Sequence, residues 1–268
     1  VSIDEAAPAR LCTQTGLVLS SSAELNIFRV AKTKHGPFNP PARATGTPAA
    51  KLSRWDTPGR TIYGGSSEVG ALIEVLSYVT ADDQGLRTVT DVFDDVHSGD
   101  ELFLHEQIAK ELRSHGGMAD RTVSRGWRED RNIYEFKLPP GGWFVDVTAS
   151  DSVGALDEQL REDLRTSYRI GELNVSHMTA DGATARAVTT HIAGFIRGLV
   201  LDDGSLPHGI VYPSKYGTDL INYAIWLRRS DDGTGPAVHP LEFVDNYPIH
   251  LHTEAYHAAL KRLRLRTF

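Results

Sequence analysis

From Arg60 to Leu76 the chain passes from strand to helix, and that junction limits the folds open to it. Arg60-Thr61-Ile62-Tyr63 is β-branched and aromatic, the composition of a short strand. Gly64-Gly65 breaks it, and Ser66 or Ser67 can cap a following helix. Glu68 stands in the first turn, where a carboxylate suits the positive helix end. Val69, Leu72, Ile73 and Leu76 then fall at i, i+3, i+4 and i+7, one apolar stripe of helical period. The chain therefore mixes strands with helices that need a sheet or another helix to cover them.

The other side of this helix carries a second stripe, Ser67, Gly70, Ala71 and Glu74, at the same spacing. Three small residues clear a space and a carboxylate stands at its end. Gly70 costs roughly 1 kcal/mol of helix stability relative to Ala. The stripe reads as room kept for a ligand, or as a helix–helix contact of small residues beside a solvent-facing Glu74.

Composition excludes several classes. A chain of 268 residues with 40% hydrophobic content can bury a sizeable core, as one large domain or two. The formal charge of −7 argues against a broad nucleic-acid-binding surface, but not against a local basic pocket for a small anion. Cys12 is the single cysteine, so no intramolecular disulfide and no cysteine-based zinc site is expected. No long apolar run suggests a membrane span, and Val1–Ser20 shows no signal-peptide pattern. A cytoplasmic protein is expected.

Residues 1–24 read as a mixed lead-in with one apolar patch, Leu17-Val18-Leu19. Leu25 to Ala31 reads as the first core strand. Its Arg29 either faces water from an edge strand or delivers a guanidinium into a cleft. Lys34 to Pro48 holds four prolines and two glycines and reads as a surface loop. Thr80 to Arg131 is the most polar stretch. Ser98-x-x-Glu101 is a capping box before a helix to about Arg113, which Ser114-His115-Gly116-Gly117 stops. Residues 80–132 are expected to form a solvated, partly helical insertion. No spacing there fits an EF-hand loop.

Core pattern returns at Asn132. Ile133 to Leu138 alternates as a strand, Pro139-Pro140-Gly141-Gly142 turns, and Trp143 to Val147 is another strand. Helices are expected from Ser150 to about Thr166 and from Ala183 to Ile196. Ile210-Val211-Tyr212-Pro213 reads as a strand end before a turn at Ser214–Gly217. Ile221 to Leu227 suits a buried strand or a helix turn. Ser230 to Pro236 reads as a loop. A last strand near Ile249–His252 leads to a helix from Thr253 to Arg264. The elements alternate without regular βαβ order, so the fold class is α+β rather than doubly wound. One domain over 1–268 is expected, its core about 25–79 and 133–268.

Known motifs give little. Gly64-Gly65-x4-Gly70 is neither a Walker loop nor a dinucleotide fingerprint. Gly65-x-Ser67 lacks the second glycine of a nucleophile elbow. His250-x-His252 with Glu254 and His257 is a metal-like cluster, but a strand end and a helix start need not converge, and no metal is expected.

Phe28-Arg29, Arg54-Trp55, Ile62-Tyr63, Glu74 and Gly209-Ile210-Val211-Tyr212-Pro213-Ser214 occur in an order that resembles the RES-domain family. The likeness covers about Leu25–Val79 and Ile133–Phe268. It departs at Val30, where the family often has an aromatic, at Leu52-Ser53, where it often has Gly-Gly, and in the length of the Thr80–Asn132 segment. The family includes bacterial toxins of toxin–antitoxin pairs that consume NAD, with a fold like the ADP-ribosyltransferase toxins. The resemblance implies an ADP-ribosyltransferase-like mixed β-sheet core flanked by helices. It places Arg29, Tyr63 and Glu74 at catalytic positions and Arg54 and Ser214 at substrate-binding ones. NAD is then substrate rather than cofactor, and a cognate antitoxin is an implied partner.

The residue types suit that chemistry. Two arginine forks match the two phosphates of NAD. Tyr63 can stack on a nicotinamide or adenine ring. The bond to nicotinamide breaks through an oxocarbenium-like state, as in glycoside cleavage. Nicotinamide leaves neutral, so no general acid is needed, and Glu74 can stabilise the developing positive ribose. Ser214 can hydrogen-bond the nicotinamide amide or a ribose hydroxyl. The acceptor stays open: water gives a glycohydrolase, phosphate a phosphorylase, a protein side chain an ADP-ribosyltransferase. A non-catalytic nucleotide- or partner-binding regulator would use the same cleft.

Overall fold

The computed structural model of the chain describes residues 9–22, 25–77, 121–138, 140–180, 182–228, 231 and 241–267. Its strands are β1 (Ala9–Leu11), β2 (Val18–Ser21), β3 (Asn26–Lys32), β4 (Thr61–Gly65), β5 (Thr122–Val123), β6 (Arg131–Lys137), β7 (Trp143–Asp146), β8 (Gly209–Ser214), β9 (Gly217–Trp226), β10 (Glu242–Pro248) and β11 (Arg266–Thr267). Its α-helices are α1 (Glu68–Leu76), α2 (Arg125–Glu129), α3 (Ser150–Tyr168), α4 (Val175–Thr179), α5 (Ala183–Gly198) and α6 (Glu254–Leu263). The fold is α+β. One large mixed sheet runs in the order β1-β2-β7-β8-β9-β4-β3-β6-β10, and β5 and β11 form a small second pair. In the large sheet β7 and β8 are parallel, and α3, α4 and α5 lie in the crossover that a parallel pair requires. Among the described residues no helix is long and apolar enough to cross a membrane.

Ser67 caps α1 through its side chain, which accepts from the Gly70 amide, and Glu68 stands in the first turn. Leu72, Ile73 and Leu76 are fully buried. Each such side chain contributes about 1.5–3 kcal/mol by leaving water. They join Val30, Ile133 and Tyr256 in one cluster, where α1 packs on α6. A second cluster gathers Trp55, Val145, Leu156, Ile192 and Trp226 beneath α3 and α5. A third holds Ile27, Ile62, Phe136, Phe144 and Ile225. Alternation along β4 puts Ile62 in the third cluster and Tyr63 against the second.

Several expectations need correction. The lead-in is part of the sheet: Leu17 and Leu19 are fully buried, and β2 pairs with β7. Gly64 and Gly65 do not break the strand but complete β4, paired with Tyr223 and Asn222. Arg29 is not on an edge, because β3 lies between β4 and β6, and its side chain is buried. Ile221–Leu227 resolves to strand through Trp226, as the end of β9. No strand forms at Ile249–His252; the last strand of the large sheet is β10, seven residues upstream in start, at Glu242. β10 is an outer strand exposed along most of its length, so it lacks the apolar alternation by which a strand is recognised.

The end of the insertion also belongs to the core. Val123 and Trp127 are buried in the α1–α6 cluster, and Arg128 and Arg131 are buried with them. The Arg131 guanidinium donates to the Trp127 carbonyl (3.0 Å) and lies 4.7 Å from the centre of the Trp127 ring. Such partners let a charged residue sit where its type alone predicts solvent. The rest of the insertion, including the helix expected over Ser98–Arg113, lies outside the described residues.

A tether holds β1. Asp202 accepts from the Thr13 amide (2.7 Å) and from the Arg10 guanidinium (2.7 Å). The Thr13 bond first, and then Arg10, depress its carboxyl from 3.8 to about 2. Depression means that the tether is fully formed above pH 3.8 and is lost as pH falls through about 2. An NMR titration of the Thr13 amide should show its transition near 2; a midpoint at the ordinary carboxyl value would mean that Asp202 is not engaged in solution.

Candidate functional site

A cleft of about 220 Å³ opens along the sheet where α1 faces the turn between α4 and α5. It follows from how two strands separate. β3 pairs with β6 from Asn26 to Lys32, but its register with β4 is one pair, Phe28 with Gly65. No further registered pair joins β3 to β4, and residues from both line the cleft. Arg29, Arg54, Tyr63, Glu74 and Ser214 all line it, brought from β3, the loop before β4, β4 itself, α1 and the end of β8.

Glu74 is the centre of the polar network. Ser214 Oγ donates to its Oε1, and Asn222 Nδ2 donates to the same oxygen at 2.9 Å. Ser214 Oγ in turn accepts from the Tyr216 amide at 3.1 Å. The serine's one proton is therefore given to Glu74, so Ser214 acts as a holder of the carboxylate rather than as a donor to a ligand. Oε2 has no hydrogen-bond partner among the described residues.

The other residues are held as firmly. Tyr63 donates its hydroxyl proton to Asp56 Oδ1 (2.9 Å) and accepts from the Trp55 amide (3.0 Å). With the hydroxyl engaged in both directions, the ring is what Tyr63 offers the cleft. An Arg54 terminal nitrogen donates to the Met178 carbonyl at 2.5 Å, which ties the loop to the end of α4. An Arg29 terminal nitrogen donates to the Pro37 carbonyl at 2.8 Å, which ties β3 to the proline-rich loop. Burial raises the phenol of Tyr134, the cross-strand neighbour of Arg29, while the Arg29 charge opposes that rise.

Charge is concentrated here. Among the described residues the lining side chains include Arg29, Arg54, Arg131, Arg186 and Lys215 and one carboxylate, Glu74. On a chain of net charge −7, this gathering of cations favours an anionic ligand. A single carboxylate among cations fits a ligand that is negative at one end and turns positive at another.

Gly70 does not serve the cleft. A Cβ on it would point to Ser67 Oγ (3.1 Å) and Leu220 Cδ2 (3.7 Å), so its room is used by the cap and by β9. Ala71 and Glu74 from the same stripe do line the cleft. The His250 and His252 rings stack 5.3 Å apart, and among the described residues no group of three or more His, Cys, Asp or Glu could hold a metal ion.

Four participants were not anticipated: Asn222, Asp56, Arg131 and Arg186. Asn222 had a signal, a polar residue inside the apolar run Leu220–Leu227. Asp56 follows Arg54-Trp55 directly, and no local pattern marks it. Arg131 sits in a stretch whose charge density looks like surface, and Arg186 is a lone charge near the start of a helix. Compared with family models, with curated proteins and with solved structures, the chain matches none.

Proposed function

We propose that the protein is an NAD-consuming enzyme of RES type, that it cleaves the nicotinamide–ribose bond, and that its mixed sheet is a version of the ADP-ribosyltransferase fold. The observation that carries this reading is Glu74: a carboxylate held on one oxygen by two donors, the other oxygen unpartnered among the described residues, in a cleft to which Arg29, Arg54, Arg131, Arg186 and Lys215 bring cations. NAD matches that pattern. Its pyrophosphate is anionic, and its ribose becomes positive only as the glycosidic bond breaks.

In this reading Arg54 and neighbouring cations take the pyrophosphate, and the Tyr63 ring stacks on a base. The C–N bonding pair leaves with nicotinamide, which departs neutral. The ribosyl centre is left oxocarbenium-like, and Glu74 stabilises it while gripping ribose hydroxyls through Oε2. Ser214 and Asn222 preset the carboxylate, so it need not reorganise during the reaction. Water as acceptor yields ADP-ribose and a proton; phosphate as acceptor yields ADP-ribose carrying that phosphate. Depletion of NAD by such an enzyme would make it a toxin, controlled by a cognate antitoxin.

The test is to incubate the purified protein with NAD, with and without inorganic phosphate, and to weigh the products. Free nicotinamide should appear in both, with the second product naming the acceptor. A mass shift on protein instead would assign a protein ADP-ribosyltransferase. NAD bound but intact after prolonged incubation would overturn the enzyme and leave a nucleotide-binding regulator.

A further inference from the structure

Behind Tyr63 and Arg54 lies a buried ion pair that touches no ligand position. Asp56 and Arg43 are both nearly inaccessible, and Arg43 Nε donates to Asp56 Oδ2 at 2.9 Å. The same oxygen accepts from the Ser53 amide at 2.9 Å, and Oδ1 accepts the Tyr63 hydroxyl at 2.9 Å. The Trp55 amide closes the circuit by donating to the Tyr63 oxygen at 3.0 Å. One carboxylate thus fixes the backbone at Ser53, the ring of Tyr63 and, through it, the backbone at Trp55. Arg54 is the residue between those two anchored amides. Arg43 is itself set by paired backbone bonds with Gly59, which closes the loop into a frame.

We infer that Asp56 is a positioning residue for the substrate-binding wall: it holds the Tyr63 ring and the Arg54 guanidinium in the geometry that receives the dinucleotide, and Arg43 keeps it in place. The inference rests on the reading of this cleft as an NAD site. Its logic is that a side chain with several rotatable bonds binds well only when its own backbone does not move. Among the described residues no hydrogen bond of this network reaches Glu74, Ser214 or Asn222, which stand on α1, β8 and β9. Loss of Asp56 should therefore appear in binding and hardly in the chemical step, a division that general loss of stability would not produce.

The experiment compares wild type, Asp56→Asn, Tyr63→Phe and the double variant. Asp56→Asn keeps the size and removes the charge that Arg43 pairs with. Tyr63→Phe cuts the tether from the other end and leaves the buried pair alone, so it serves if Asp56→Asn fails to fold. In either variant the KM for NAD should rise about tenfold, the size of one lost charge-assisted hydrogen bond. For Asp56→Asn, which alters no residue of the cleft lining, the kcat should stay within about threefold of wild type, because the Glu74 network is intact. The double variant should exceed the worse single by no more than about twofold, since both cut one tether. A rise in KM that multiplies across the two variants, or a loss confined to kcat, would overturn the inference. Amide hydrogen exchange over residues 53–57 gives an arm free of activity: exchange at Trp55 should quicken in both single variants, and unchanged exchange would overturn the tether. If the wild type consumes no NAD, the functional reading fails, and the exchange arm still decides whether Asp56 holds this wall.

Discussion

Glu74→Gln should lower NAD turnover by about 10²-fold or more while NAD binding changes little. Ser214 Oγ and Asn222 Nδ2 both donate to Oε1. A glutamine can keep both bonds with its carbonyl oxygen and would then turn its NH2 toward the cleft. The shape survives, ground-state contacts to ribose hydroxyls survive, and the negative charge does not. Only the positive transition state loses a partner, so the cost falls on kcat. Arg54→Ala should show the opposite emphasis, with KM raised through a lost phosphate partner. Steady-state kinetics beside a direct binding measurement separates the two. Unchanged turnover in a folded Glu74→Gln protein would return Glu74 to a structural part and require another carboxylate.

Gly209→Ala should destabilise the fold by about 3 kcal/mol or more. A Cβ at Gly209 would sit 1.9 Å from the Ala224 carbonyl oxygen and 3.0 Å from its carbon. These are backbone atoms of the adjacent strand, so no rotamer relieves the clash. β8 and β9 would have to part where Gly209 faces Ile225, and β8 is also held on its other side by Phe144 of β7. For a chain of this size that loss lowers the melting temperature by roughly 6–12 °C. Circular dichroism melting checks it. A variant melting within about 2 °C of wild type would mean that the strands accommodate the methyl group at almost no cost. Ser214 and Asn222 ride on the same two strands, so the surviving folded fraction should also bind Glu74 less well.

The parts legible in the sequence were those in which one local period or one cap decides the outcome. The α1 stripe, its Ser67 cap and the strand–turn–strand at Ile133–Val147 are of this kind. So was the hairpin turn after Ser214. Arg29, Arg54, Tyr63, Glu74 and Ser214 were placed by resemblance, and the cleft collects all five. What was not legible depends on partners distant in the chain. Arg131 looks like surface until Trp127 is found beneath it. β10 carries too few apolar residues to announce a strand, because β6 supplies its register and solvent covers most of it. Gly64-Gly65 reads as a break and is a strand, since β9 holds its backbone and α1 approaches it closely. Asp56 has no distinguishing neighbour in sequence; its role is visible only when Arg43 and Tyr63 converge on it.

The scrambled strand order has a consequence for when the cleft is completed. Glu74 meets Ser214 and Asn222 across 140 and 148 residues of chain. β4 must find β9 before the floor of the cleft exists, and such distant pairings are slow to form. A nascent chain that has not yet emerged past Ser214 holds Glu74 but neither of its donors. If the protein consumes NAD as proposed, partial chains are inert by construction, and a ribosome making it meets that chemistry only after most of the sheet has been synthesised and closed.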